Sequence, residues 1–127
     1  MNILSLDHIV LTVRNIDVSV HFYTTVMGMA LSVFGENRKA LSFGSQKINL
    51  HEFTKEFQPK ALNSTPGCSD LCFLTPTPMR DFIANLQSQR VEIVEGPVQK
   101  MGAIGHILSV YIRDPDGNLI EIANPLY

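Results

Sequence analysis

Apolar and polar positions alternate cleanly through Leu6–Val13, LDHIVLTV, with Ile9, Leu11 and Val13 on one face and His8, Val10 and Thr12 on the other. That period of two predicts a strand. Beyond a bend at Arg14-Asn15-Ile16, Asp17 reads as a helix N-cap, and Val18, Phe22 and Val26 recur at helical spacing until Gly28 closes the helix. Strand character resumes at Leu31–Phe34, Lys39–Phe43 and Lys47–Phe53, separated by the turns at 35–38 and 44–46. Residues 54–69, TKEFQPKALNSTPGCS, have no sustained period and read as a linker or covering loop. The pattern then restarts. Asp70–Leu74 predicts a strand, Thr77-Pro78 a cap followed by the first helical position, and Met79, Phe82, Ile83 and Leu86 a helix. Val91–Val94 predicts a strand and residues 95–105 a glycine-containing loop. Two closing strands flank Asp114-Pro115-Asp116-Gly117-Asn118, a dense run of turn formers.

The order βαβββ thus occurs twice, with HIVLT at 8–12 opposite DLCFL at 70–74 and INL at 48–50 opposite IEI at 120–122. The period is too long and the copy number too low for a solenoid. The expected fold is α+β, a single domain over 1–127 made of two βαβββ modules, about 4–53 and 70–125. Packed side by side, the modules would form a curved mixed sheet, mainly antiparallel, around a cleft with the helices outside.

Parity then sorts the chemistry. The aliphatic faces carry Ile9/Leu11/Val13, Ile48/Leu50, Leu71/Phe73 and Ile120/Ile122, and the opposite faces carry His8, Asn49 with His51, Asp70, and Glu121. Tyr111 and Ser109 share the second set's side of their strand. A charge set mid-strand needs solvent, a cation or a metal, because burying it unpaired costs too much. Imidazole and carboxylate at one place suit a divalent metal with open positions. Blander readings stand beside this one. Asp70 can cap a strand start, Glu121 can pair with Arg38 or Arg113, and His21 reads as a surface helix residue. His106, beside a glycine-rich loop, is open between a cleft mouth and the surface.

Composition narrows the partners. With 127 residues, 45% of them hydrophobic, and a net charge of −2, the chain has no basic surplus for nucleic acid or an anionic membrane. No apolar run approaches the ~20 residues of a membrane span, and Met1-Asn2-Ile3-Leu4 lacks a signal peptide's basic start. Cys68 and Cys72 form no metal-type pair and read as reduced thiols. The expectation is a cytoplasmic protein.

LDHIVLTVRNIDVSVHFYTTVMGM, followed late by DPDGNLIEI, resembles the vicinal oxygen chelate superfamily, which includes glyoxalase I, extradiol dioxygenases, methylmalonyl-CoA epimerase and fosfomycin- and bleomycin-resistance proteins. The likeness covers essentially the whole chain without selecting a member. KINLHEF and SDLCFLT look closest to glyoxalase-domain-containing proteins of loosely assigned activity. The resemblance implies that His8 matches the first-strand His ligand and Glu121 the terminal Glu ligand. Asn49 stands where glyoxalase I has Glu or an epimerase Gln, with His51 two residues on as a substitute. Asp70 occupies a place that is usually His. That departure weakens the Fe(II) dioxygenase reading, which needs two His and one carboxylate, unless His51 substitutes.

The expected metal ligands are therefore His8, His51, Asp70 and Glu121, holding Zn, Ni, Mn or Fe. Glu121 and Tyr111 are the expected catalytic residues, and Asn49, Ser109 and Lys100 the expected substrate contacts. Lys100, in KMGAIGH, either receives an anionic group or is a solvated surface lysine. Three functions compete: a metal-dependent isomerase or lyase of glyoxalase I type acting on a small oxygenated metabolite, an Fe(II) extradiol dioxygenase acting on a catechol, and a non-catalytic small-molecule-binding protein. Exposed sheet edges favour a homodimer.

Overall fold

A helix or strand forms here wherever one face can be buried, and the chain repeats one solution twice. The computed structural model describes residues Met1–Tyr127. They divide into two compact units, Met1–Pro66 and Gly67–Tyr127.

The first unit runs β1 (His8–Val13), α1 (Ile16–Thr25), β2 (Ala30–Phe34), β3 (Arg38–Phe43) and β4 (Gln46–Glu52). Its sheet has the order β1-β4-β3-β2, with β1 parallel to β4 and the other pairs antiparallel. Leu11, Val13, Ile48 and Leu50 are buried, as parity predicts, and so is Leu41 of β3. The helix differs from expectation in two details. Its cap is Asn15, whose side chain accepts from the Val18 amide, while Asp17 sits in the first turn and pairs with Lys39 at 3.3 Å. Its buried residues are Ser19 and Tyr23, one position on from the Val18/Phe22/Val26 stripe, and Val18 is exposed. The Val18/Phe22/Val26 stripe marks the apolar residues, whereas the buried positions are filled by a serine and a tyrosine.

The second unit runs β5 (Asp70–Leu74), α2 (Met79–Ser88), β6 (Glu95–Met101), β7 (His106–Arg113) and β8 (Leu119–Pro125). Its sheet repeats the topology as β5-β8-β7-β6, with β5 parallel to β8. Val110, Ile112, Ile120 and Ile122 are buried on one face. The strand expected at 91–94 is absent. The strand is β6, in the stretch read as loop, and it carries a bulge between Glu95, opposite Tyr111, and Val98, opposite Ser109. Gly96 within that bulge has φ +107, and a Cβ there would run into the Ser109 carbonyl, so only glycine fits. Pro78, not Thr77, is the cap residue of α2, and no side chain caps it.

The β7–β8 turn is held from inside. Asp114 Oδ1 accepts from the amides of Asp116 and Asn118, both at 2.9 Å, and Oδ2 accepts from Asn118 Nδ2 at 2.8 Å. Asn118 Oδ1 in turn accepts from the Ser69 amide at 2.9 Å, tying the turn to the start of β5. The DPDGN run therefore fixes the height at which β8 enters the sheet, and with it the position of Glu121. No helix of the chain is long and apolar enough to cross a membrane.

Candidate functional site

Cross-strand register decides what surrounds Glu121. Cys72 of β5 lies directly opposite it on one side and Tyr111 of β7 on the other. Ser109, two residues before Tyr111 on the same face, donates its hydroxyl to Glu121 Oε2 at 2.5 Å. The Tyr111 hydroxyl and the Cys72 thiol face the same carboxylate across the two strand pairs and feel its charge. A carboxylate is acceptor-only, so Ser109 and Tyr111 of β7 and Cys72 of β5 present three protonated groups to one acceptor on β8.

The field of that carboxylate shows in its neighbours. Burial first, then the hydrogen bond to Glu121 and its charge, push the Tyr111 hydroxyl up from 10.0 to about 12. Burial and then the Glu121 charge push the Cys72 thiol up from 9.0 to about 11. Both stay protonated at neutral pH, as donors. No cation touches the carboxylate. Lys100 pairs with Glu95 at 3.7 Å and stands 5.7 Å from the centre of the Tyr111 ring, and Arg113 donates to the Gly117 carbonyl.

The first unit holds a second polar cluster. His51 is 2% exposed and Asn49 is buried beside it on the same face of β4. Arg38, at the start of β3, donates to His51 Nε2 at 3.3 Å. Its guanidinium lies 4.4 Å from the Phe57 ring centre and 5.0 Å from that of Phe34. Phe57 also meets the His51 ring edge-on at 5.6 Å. Burial, then the Arg38 charge, hold the His51 imidazole below its ordinary value, and the Glu56 charge opposes them.

Of the residues singled out in the sequence, Glu121, Tyr111 and Ser109 gather in one unit and Asn49 and His51 in the other. His8 is exposed with Nδ1 at 2.8 Å from Asp7, and Asp70 is exposed at the start of β5 opposite Leu119. His21 and His106 are exposed. Sequence reasoning does not single out Cys72. Cys72 was legible from parity, since it shares its face with Asp70. Arg38, by sequence a turn residue and one candidate partner of Glu121, has its polar contact with His51 instead.

Residues 5–122 match the family described as the Glyoxalase/Bleomycin resistance protein/Dioxygenase superfamily. The chain belongs to that superfamily. It is 54% identical over 118 residues to virulence protein STM3117 of Salmonella typhimurium, covering 93% of this chain and 82% of that protein. The crystal structure of STM3117 superposes with a TM-score of 0.97 over 99% of this chain and 100% of that one. Glyoxalase domain-containing protein RDO1 of Mycosarcoma maydis is 51% identical over 124 residues, which is 98% of this chain and 70% of that protein. Lactoylglutathione lyase from Agrobacterium tumefaciens, at 20% identity and TM-score 0.71 over 94% of this chain and 92% of that one, shares the fold.

Divalent metals are typical of the superfamily. Within neither unit do three His, Cys, Asp or Glu side chains gather at one point. His51 turns its Nε2 to a guanidinium, which leaves no lone pair there for a cation. The residues of either unit, taken alone, do not fit a resident metal ion.

Proposed function

We propose that this superfamily member acts on a small oxygenated metabolite by moving a proton at Glu121, the isomerase or lyase chemistry of the glyoxalase I type. One observation carries the reading: Glu121 accepts from Ser109, stands opposite Tyr111 and Cys72, and has no cation against it. A carboxylate so placed can take a proton from carbon beside a carbonyl and return it to the neighbouring carbon or oxygen. Tyr111, kept protonated, can donate to a substrate oxygen as charge develops on it. In this proposal Glu121 and Tyr111 are the catalytic residues and Ser109 orients the carboxylate.

The test is turnover of a panel of hemithioacetals and 2-hydroxy carbonyl compounds in D2O, followed by NMR. Solvent deuterium should enter the product at the carbon that receives the proton. Glu121→Gln should lower kcat by about 10²–10⁴-fold with little change in KM. A Glu121→Gln variant with full kcat on an accepted substrate overturns the assignment. The same proposal includes a homodimer; light scattering giving the mass of one chain at micromolar concentration refutes that part.

A further inference from the structure

Lys100 of β6 lies beside the Glu121 cluster and takes no part in it. Cross-strand partners share a face of the sheet, and register pairs Lys100 with Ile107, on the same side of β7 as Ser109 and Tyr111. Its ammonium stands 5.7 Å from the centre of the Tyr111 ring. Glu95, opposite Tyr111 in the same strand pair, meets that ammonium at 3.7 Å, the long end of the ion-pair range. Both side chains are open to solvent, 41% for Lys100 and 58% for Glu95. An exposed pair of this kind is worth little free energy. The face therefore carries a cation with a readily exchanged counter-ion, next to a hydroxyl and a carboxylate suited to proton transfer.

The other charges of this face do not share that position. Arg113, two residues beyond Tyr111, turns its guanidinium to the Gly117 carbonyl at 3.3 Å, at the β7–β8 turn. Asp70 is exposed at the start of β5, opposite Leu119. The Ser109 hydroxyl is already given to Glu121. Glu95 and Glu121 both repel an incoming anion, so an anion gains from Lys100 where it replaces Glu95 rather than joining it. The Glu95 carboxylate thus marks the place beside Tyr111 where an oxyanion is accepted. Tyr111 and Glu121 are partly exposed, so a small molecule lying along the face reaches ammonium, hydroxyl and carboxylate without opening the sheet.

We propose that Lys100 anchors an anionic group of the substrate, a carboxylate or a phosphate, which displaces Glu95. The inference rests on the proton-transfer reading and names its substrate class. That class is a small hydroxy- or oxo-compound with an oxyanion group at one end and its enolisable carbon presented to Glu121. A lysine ammonium is a compact point charge with three donors, and it takes either oxyanion.

Two matched pairs of probes, lactate with lactamide and dihydroxyacetone phosphate with dihydroxyacetone, are titrated into the full chain and followed by NMR at Lys100 and the Tyr111 ring. At least one anion should bind about tenfold or more tighter than its neutral partner, with shifts at both residues. The pair with the larger ratio shows whether carboxylate or phosphate is taken. Lys100→Met should erase that ratio, Lys100→Arg should keep most of it, and Glu95→Gln should tighten the anion about threefold or more. Equal binding within both pairs, a ratio that survives Lys100→Met, weaker anion binding in Glu95→Gln, or no binding of either anion at tens of millimolar overturns the inference. Lys100 is partly exposed on the edge strand of its sheet, so these replacements leave the core intact. Turnover plays no part in the measurement. Loss of the Lys100 dependence while solvent deuterium still enters product strikes this inference alone, and Glu121→Gln with full kcat beside an intact Lys100 ratio strikes the proton-transfer reading alone.

Discussion

Replacing Glu121 with Gln removes one negative charge while keeping shape and hydrogen-bonding capacity, and Cys72 is the reporter that stands opposite it in the parallel pair. The thiol lies at about 11 against an ordinary 9.0, with burial as the larger cause and the Glu121 charge and hydrogen bond next. Removing the charge therefore returns only part of that rise. Cys72 is exposed along part of its surface, so solvent screens the interaction further. A drop of about one unit is the reasonable magnitude, which raises the thiolate fraction at pH 8 about tenfold. A less basic thiolate is also a weaker nucleophile, which takes back roughly half of that gain on a logarithmic scale and leaves about a threefold faster alkylation. The assay is the pH dependence of iodoacetamide alkylation in a Cys68→Ser background, so that Cys72 is the reacting thiol. Glu121→Gln should move the midpoint down by about one unit, and Glu121→Asp, which keeps the charge, should move it much less. Superimposable profiles for the unaltered residue and Glu121→Gln would refute the argument that Cys72, Ser109 and Tyr111 share one carboxylate. The proton-transfer reading would lose its support with it.

Tyr111 and Cys72 both lie above their ordinary values, so the stability they contribute is fully present below about pH 9 and is lost as pH rises through about 11 to 12. Glu121→Gln should flatten that alkaline loss in urea titrations, and an unchanged slope counts against the linkage. His51 is held below 6.5, so its contribution is present above that pH and fades as pH falls through the lowered value; His51→Gln should remove this acid-side loss. Asp114→Ala strips three hydrogen bonds from a buried turn and should cost about 3 kcal/mol by urea unfolding, whereas a cost under about 1 kcal/mol would show that the turn is held by the sheet alone. Leu86→Ala, at a residue 1% exposed on α2, should cost about 2–5 kcal/mol in the same measurement.

The fold was legible because each unit obeys simple periodicity: alternation put Ile48, Leu50, Ile120 and Ile122 inside, and all four are buried. What periodicity could not show was β6, since EGPVQKM contains the residues that usually end strands. It is a strand because β7 offers an edge and Gly96 lets the bulge pass the Ser109 carbonyl, both of them tertiary causes. The polar clusters were legible to the same depth. Parity put Ser109, Tyr111 and Glu121 on one side, but choosing residues by their power to ligate metals passed over Cys72, which register places directly against Glu121. The same preference grouped His51 with His8 and Glu121, when its nearest polar neighbour is Arg38, a residue that repels metal ions. Side-chain type says what a position can do, while register and burial say what it faces. For His51 the two disagree, and the facing group decides: an imidazole whose lone pair already accepts from a guanidinium has only its Nδ1 proton left to offer, and a proton is not what a metal ion takes.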